Sequence, residues 1–179
     1  MKKQFLLPVL ATMCIAGAMF LTACEKENQS IKEGISGIVV ERYGNWMPVI
    51  DPNSNNHGER PIIAGIYVYE YTRISDFDST TRHNCYSHFP IDKMPKPLVA
   101  TAVSNADGFY EIPLKPGKYS VFLLENGKMY ANEMDGSGGY LPVTVRADSV
   151  SRVVLVLDHA VYYHYVRTQN HLVRTHQWV

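Results

Sequence analysis

The sequence predicts an all-β fold, specifically a seven-stranded antiparallel β-sandwich. Short apolar stretches alternate with polar residues at every second position, and clusters of glycine, proline, asparagine and aspartate separate these stretches. In addition, no stretch sustains the 3.6-residue repeat that an amphipathic helix requires. Hydrophobic residues make up 46% of the 179 residues, which is sufficient for the packed core of one domain.

The predicted strands combine β-branched or aromatic residues with flanking turn residues. Two of them, around residues 121–124 and 153–157, are apolar on both faces, which predicts central positions in the sheets. The predicted strands together define a sandwich domain over residues 35–158. The seven predicted strands cover residues 35–41, 62–72, 98–104, 110–114, 119–123, 140–146 and 152–158, and the last two are expected to pair with each other.

The segment from Asn105 to Val121 predicts a turn, a strand, a second turn and a returning strand. Asp107-Gly108 supplies a glycine that accepts positive φ where the chain reverses. Pro116-Gly117 fits the central positions of a type II turn, because proline fixes φ at the first and glycine accepts positive φ at the second. We therefore expect a β-hairpin here.

Two long polar segments interrupt the strand pattern and predict loop insertions. Residues 75–97 are rich in polar residues and contain three prolines, so they are too long for a simple connection. They are expected to carry a turn of helix or a short edge strand. Residues 126–139 form the second insertion and end in a flexible glycine-rich turn.

The N-terminus has the features of a targeting signal. Two lysines precede an apolar stretch over residues 5–20, and Leu21-Thr-Ala-Cys24 follows. The apolar stretch is short for a transmembrane helix, and small residues precede the cysteine as at a signal cleavage site. Leu-Thr-Ala-Cys resembles the bacterial lipobox, which implies a signal peptide over residues 1–23 and lipid attachment at Cys24. A plain secretory signal is the alternative.

The lipobox resemblance implies a membrane anchor and a short polar tether over residues 24–34. Three acyl chains on one cysteine hold a protein on a bilayer essentially permanently. Glu25 follows the cysteine where an aspartate would resemble an inner-membrane retention signal, so we expect the outer membrane. With 17 basic and 17 acidic residues, the chain has no excess of positive charge that would attract nucleic acid. Cys14, Cys24 and Cys85 are the only cysteines, which excludes a disulfide framework.

Several motifs together resemble the carboxypeptidase regulatory-like domain. These are Asp107-Gly-Phe-Tyr110 and Pro116-Gly-Lys-Tyr119, preceded by glycines at Gly37 and Gly65 within strand-like segments. The resemblance covers roughly residues 35–157. It implies a transthyretin-like (prealbumin-like) sandwich of the kind common in lipoproteins and outer-membrane receptors of Bacteroidetes-type bacteria. It also implies a non-catalytic role and supplies no catalytic residues.

The candidate catalytic and metal motifs are weak. Asp51-Pro-Asn53-Ser-Asn55-Asn56 begins like a calcium loop but lacks the glycine at its sixth position and the glutamate at its twelfth. None of the seven histidines has the spacing of a helical zinc site. Cys85, near His83 and His88, shows no orienting partner of a nucleophile. We therefore predict no enzyme activity, no metal and no cofactor, and interpret the histidines as scattered surface residues.

The C-terminal extension, residues 159–179, repeats a pattern seven residues apart, from His164 to Thr168 and from His171 to Thr175. Its valine, tyrosine and threonine content favours an extra strand or a hairpin that turns at Gln169-Asn170. Such a strand has two interpretations. It is either offered to a partner in strand exchange or it protects an edge of its own sandwich.

If the strands alternate in direction, loops 43–60, 105–108 and 126–139 and the tail lie at the end opposite the tether. Aromatic and apolar residues in these loops would form an exposed binding patch there, or else pack into the core. The expected function is a non-catalytic binding or assembly module with a protein or glycan partner at the membrane-distal loops. The alternatives are a fimbrial or adhesion-apparatus subunit and an envelope hydrolase. The patch residues are Trp46, Met47, Tyr130, Met134, Tyr140 and Trp178.

Overall fold

The computed structural model describes residues 30–47, 56–85 and 87–161, and the backbone of residues 165–168 and 171–174. The predicted signal peptide, Cys24 and most of the tether therefore lie outside the described residues, as do Trp178, positions 51–55 of the calcium-like loop and the predicted turn at Gln169-Asn170. The elements below belong to the compact unit formed by residues 31–179. Among the described residues, no helix is both long and apolar enough to cross a membrane.

The described part of the chain is mostly β-strand. A short helix, α1 (Ser79–Asn84), and two single 3₁₀ turns, Ile74–Asp76 and Ile91–Lys93, interrupt the strands. The strands are β1 (Gly34–Gly44), β2 (His57–Pro61), β3 (Gly65–Glu70), β4 (His88–Pro90), β5 (Leu98–Val103), β6 (Phe109–Pro113), β7 (Gly117–Glu125), β8 (Lys128–Tyr130), β9 (Pro142–Val145), β10 (Val150–Asp158), β11 (Tyr165–Thr168) and β12 (His171–Arg174).

The first ten strands form two sheets with a β-sandwich-like arrangement. In the four-stranded first sheet, β1 is central, with β10 on one side and both β2 and β6 on the other. In the six-stranded second sheet the order is β4-β8-β7-β3-β5, and β9 also pairs with β7. β11 and β12 pair with each other in antiparallel fashion as a separate two-stranded sheet.

The all-β prediction is confirmed, but the two sheets contain ten strands rather than seven. All seven predicted strands are present, and β2, β4 and β8 are additional. These three strands are only three to five residues long, so their sequences are too short to show a recognisable alternation. The insertion before β5 contains both of the expected features, since α1 is a turn of helix and β4 is a short edge strand.

One strand pairing departs from the antiparallel prediction. β10 lies beside β1 and runs parallel to it, from Gly34 opposite Val150 to Arg42 opposite Asp158. β9, which precedes β10, belongs to the other sheet, so the connection between them crosses the sandwich. The predicted pairing of these last two strands with each other is therefore wrong. β10 is also an edge strand, with Val154 57% exposed, and not a central one as its apolar sequence predicted.

The predicted hairpin over residues 105–121 is also wrong. β6 pairs with β1 in the first sheet, whereas β7 pairs with β3, β8 and β9 in the second, so Pro116-Gly117 connects two sheets. Gly117 does not have a positive φ, which excludes the type II turn. A Cβ at Gly117 would instead lie 3.0 Å from the hydroxyl of Tyr119, which donates a hydrogen bond to the Lys115 carbonyl.

The turn at Asp107-Gly108 forms as predicted. Gly108 has a φ of 75°, and its N–H donates to the carbonyl of Asn105. The Asn105 side chain accepts hydrogen bonds from the backbone of Asp107 and Phe109 at 3.0 and 2.8 Å. A Cβ at Gly108 would lie 2.4 Å from the carbonyl oxygen of Val39, so this glycine also permits a close approach between two chain segments.

Two hydrophobic cores stabilise the second sheet, one on each face. The first lies between the sheets and includes Val121 and Leu123 of β7. The second includes Phe122 and is covered by the insertion, which contributes Phe77 and Phe89. The stacked rings of Phe77 and Phe89 lie 4.6 Å apart. The prediction that residues 121–124 occupy a central strand is therefore confirmed, because alternate residues of β7 face different cores.

Two of the segments that lead from one sheet to the other lie close together, and Ser104 joins them. One crossing leads from β2 to β3 and the other from β5 to β6. The Ser104 hydroxyl accepts a hydrogen bond from the Ala64 N–H at 2.9 Å and donates one to the Ile62 carbonyl at 2.8 Å. Ser104 itself is only 3% exposed, so these bonds form away from bulk water.

Candidate functional site

The candidate site lies at one end of the first sheet. β1 ends, β2 begins and β10 ends there, since Gly44 is opposite His57 and Arg42 is opposite Asp158. The chain beyond β10 continues alongside β1, because the N–H of Val161 donates to the Gly44 carbonyl at 2.9 Å. The described residues on either side of the 48–55 segment and the start of the tail therefore share this end, as predicted, while Gly34 lies at the other end of β1.

Two other segments predicted at this end lie elsewhere. The turn at residues 105–108 packs beside the middle of β1, where Val39 donates a hydrogen bond to the Gly108 carbonyl at 2.8 Å. This follows because β6 pairs with only the first half of β1. The loop after β8 returns to the beginning of β7, where Asp135 forms an ion pair with Lys118 at 3.1 Å.

Three aromatic side chains lie at this end, on the two faces of the first sheet. Trp46 and His57 share one face, and we call this pair the aromatic platform. Tyr43 lies on the other face, because it is opposite Gly58 whereas His57 is opposite Gly44, the next residue of β1. The rings of Trp46 and His57 lie 4.6 Å apart, and Trp46 and Tyr43 are each 37% exposed. The Trp46 indole N–H donates to the Tyr43 carbonyl at 3.1 Å, which fixes its orientation. Guanidinium groups lie over two of these rings, Arg42 at 5.3 Å from Trp46 and Arg60 at 5.4 Å from Tyr43.

Ion pairs across the β1–β2 pairing hold both guanidinium groups in place. Arg42 contacts Glu59 at 2.7 Å and Asp158 at 3.6 Å. Arg60 contacts Glu41 at 2.6 Å. Since each arginine is oriented by a carboxylate, little side-chain freedom remains to be lost when a ligand binds over the rings. Aromatic and arginine side chains in a preorganised arrangement are the usual composition of an energetically important binding surface.

A second group of side chains lies at the same end of β1 and includes Glu41, on the face that carries Tyr43. We call it the histidine–glutamate network: Glu41, His88, Glu125 and His159. The Nδ1 of His159 lies 2.8 Å from a Glu41 oxygen, and its Nε2 hydrogen-bonds to Glu125. Glu125 also contacts the Nε2 of His88 at 2.7 Å. Because Glu41 belongs to the first sheet and Glu125 to the second, His159 joins the two sheets at this end.

The protonation of the network follows from its geometry. Both ring nitrogens of His159 face carboxylate oxygens, and both can donate only in the charged imidazolium. Burial lowers the pKa of His159, but the hydrogen bonds to Glu41 and Glu125 outweigh it, so its pKa is raised overall. The hydrogen bond from His159 and the charge of Arg60 lower the pKa of Glu41 against the opposing effect of burial. The network therefore favours a positive His159 between two carboxylates.

This arrangement joins strands of the two sheets through side chains. The described residues contain no set of three or more histidine, cysteine, aspartate or glutamate side chains arranged to hold a metal ion. Cys85 is half-buried against the second core, while His88, which the sequence placed near it, is directed to Glu125. The interpretation of the histidines as scattered is wrong for His88 and His159, which converge on one carboxylate.

The structure separates the five described residues of the predicted patch, while Trp178 lies outside the described residues. Trp46 belongs to the aromatic platform, and the half-buried Met47 follows it. Tyr130 and Tyr140 are 3% and 1% exposed, so neither forms part of a surface, because both rings pack into the cores. Met134 is 52% exposed but lines a different depression, of about 340 Å³, beside Val153 and Val154 in the middle of β10.

No local sequence pattern indicates the histidine–glutamate network or the packing of His57 against Trp46. The partners of His159 lie 34 and 118 residues away in the chain, so no local spacing relates them. The only sequence feature that these three residues share is that Glu41, Glu125 and His159 lie at or just beyond the ends of predicted strands. A correct strand order would have been needed to bring these ends together.

A comparison of the chain with family models, with curated proteins and with solved structures finds no match in any of the three. The candidate site is therefore interpreted from its own geometry.

Proposed function

We propose that this chain is a lipid-anchored cell-envelope protein of the outer membrane whose sandwich is a non-catalytic binding module. The finer fold belongs to the same proposal, namely a transthyretin-like sandwich of the carboxypeptidase regulatory-like kind. The observation that carries the binding role is the aromatic platform, in which the exposed Trp46 packs against His57 and lies under the oriented guanidinium group of Arg42. Its partner is a protein or a glycan, both of which are recognised by flat aromatic surfaces with neighbouring hydrogen-bond donors.

The position of the platform supports this role. β1 has 11 residues, which at about 3.3 Å each span roughly 36 Å. The residues that lead back toward Cys24 join β1 at Gly34, and the platform lies beyond its other end. A module anchored through Cys24 would therefore present the platform away from the bilayer surface, where a partner can reach it.

Site-specific photo-crosslinking tests the binding role. A photoreactive amino acid replaces Trp46 in the full-length protein in intact cells, and a matched variant carries it at Ile91, which is 47% exposed in the 3₁₀ turn after β4. We expect a discrete adduct from position 46, and we expect His57→Ala to reduce its yield at least tenfold. Adducts of equal yield from both positions would contradict the proposal. The anchor is tested separately, because Cys24→Ser should move the protein out of the membrane fraction and remove the acyl mass.

A second candidate function is a fimbrial or adhesion-apparatus subunit that donates its C-terminal strand. The observation that favours it is the β11–β12 pair, which forms a sheet apart from the two larger ones. Truncation after Val161 keeps the backbone bonds that join the tail to β1 and removes the hairpin. Loss of assembly with an unchanged unfolding temperature would favour this function, and unchanged assembly would exclude it.

A further inference from the structure

β5 is an edge strand of the second sheet. Among the described strands it pairs only with β3, from Gly65 opposite Val103 to Tyr69 opposite Leu98. A bulge interrupts this pairing next to Leu98, whereas Ala100 to Val103 pair regularly. An edge strand presents a row of unpaired backbone groups, which can pair with another strand. The open side of β5 is thus available for one further strand.

The side chains of β5 do not protect this edge. Leu98, Val99 and Val103 are 49%, 44% and 68% exposed, and the strand contains neither a charged residue nor a proline. Proteins usually shield an edge with charges, prolines or a covering loop. An exposed, uncharged and β-branched edge of six residues has the properties of a strand that pairs with another chain.

The sequence of β5 indicates what that other strand is. Val99-Ala-Thr101-Ala-Val103 reads identically in both directions. When two copies pair in antiparallel fashion about a two-fold axis at Thr101, each residue therefore meets its own type. Thr101 meets Thr101 of the second copy, and Val99 meets Val103. Cross-strand pairs of threonine and of β-branched residues stabilise a sheet.

The backbone direction agrees with this register. The N–H of Ser104 donates to the Ala64 carbonyl on the β3 side, and backbone groups alternate in direction along a strand. Ala102 and Ala100 therefore point toward β3, and Thr101 and Val103 point to the open side. With Thr101 on the axis, the N–H and C=O of both Thr101 residues can pair with each other.

We propose that β5 is a self-association edge, through which two copies of this chain join their second sheets into one continuous sheet about a two-fold axis at Thr101.

Cysteine cross-linking tests the register in full-length protein in which Cys85 is replaced by serine. The two Thr101 positions would lie about 5.5 Å apart between Cα atoms, within disulfide range. Thr101→Cys should form a covalent dimer on mild oxidation. Val99→Cys alone should not, because its two copies lie roughly 13 Å apart. A mixture of Val99→Cys and Val103→Cys proteins should form a dimer. Thr144→Cys is the matched control, because Thr144 is an exposed residue of β9.

A charge substitution tests the association independently of cysteine chemistry. Thr101→Lys should convert a dimer into a monomer in analytical ultracentrifugation, and Thr144→Lys should leave the dimer intact. Both variants should unfold within a few degrees of the original protein, because both threonines are exposed. The proposal is overturned if the original protein is monomeric, if Thr101→Cys dimerises no more than Thr144→Cys, or if position 101 cross-links to a different protein. None of these outcomes bears on the aromatic platform.

Discussion

The junction at Ser104 gives a quantitative test of how the two sheets are held together. Ser104→Ala removes the hydroxyl that links the crossing at residues 62–64 to the crossing that begins at Ser104. The backbone bond from the Ser104 N–H to the Ala64 carbonyl is retained, at 3.1 Å, so the substitution isolates the side chain. No bulky group is introduced, and alanine is compatible with any conformation that serine adopts there.

The magnitude follows from the groups that lose their partners. The Ala64 N–H and the Ile62 carbonyl are left without the hydroxyl, and each unsatisfied group with limited access to water costs about 1–3 kcal/mol. Both residues are only half-buried, so the total should lie near the lower end, about 2–3 kcal/mol. For a domain of this size that corresponds to a decrease in unfolding temperature of roughly 5–10 °C.

Urea unfolding followed by tryptophan fluorescence measures this change. Ser151→Ala is the matched control, because the Ser151 hydroxyl makes one hydrogen bond, to the Thr144 carbonyl, in an exposed position. We expect the control to cost less than about 1 kcal/mol. If Ser104→Ala costs no more than Ser151→Ala, the hydroxyl does not join the two crossings and the reasoning is refuted.

Two further predictions concern a glycine and the histidine–glutamate network. Gly108 and Gly127 have φ angles of 75° and 74°, but only a Cβ at Gly108 meets a backbone atom. We expect Gly127→Ala to cost about 1–2 kcal/mol from the left-handed backbone alone and Gly108→Ala to cost clearly more, as measured by urea unfolding; equal costs would contradict the contact. For the network, the raised pKa of His159 means that its stabilisation is complete below its ordinary pKa of about 6.5 and is lost as the pH rises above it. The lowered pKa of Glu41 means that its stabilisation is present above about pH 4.5 and is lost at lower pH. Stability measured against pH should therefore be highest between these values, and His159→Gln should flatten the decline on the alkaline side; an unchanged decline would place its origin elsewhere.

The strands could be predicted from the sequence because alternation is a local property. Val121 and Leu123 had to share one face of their strand and Phe122 the other, wherever that strand lay in the fold. Seven strands were found in this way, and the double-sided apolar pattern of β7 indicated its central position. The same pattern was misleading for β10, because its outward Val154 is exposed and not packed beneath another layer.

The pairing of the strands could not be predicted, because alternation does not distinguish a hairpin from a crossing between sheets. β6 and β7 are separated by a short turn with the residues of a hairpin, yet they belong to different sheets. The wrong pairing also affected the predicted binding patch. Tyr130 was expected in a distal loop and Tyr140 at the start of the following strand, both on an exposed surface, whereas the loop after β8 folds back along β7 and Tyr140 lies in the second core.

The parallel pairing of β1 with β10 has a mechanical consequence. The chain enters β1 at Gly34 and leaves β10 at Asp158, and these points lie at opposite ends of two adjacent strands. A pulling force between the segment before β1 and the tail after β10 would shear the two strands along their length, so that all their hydrogen bonds bear the load together. Hairpin strands pulled from their open end would separate one bond at a time. This domain is therefore built to resist tension between its two termini.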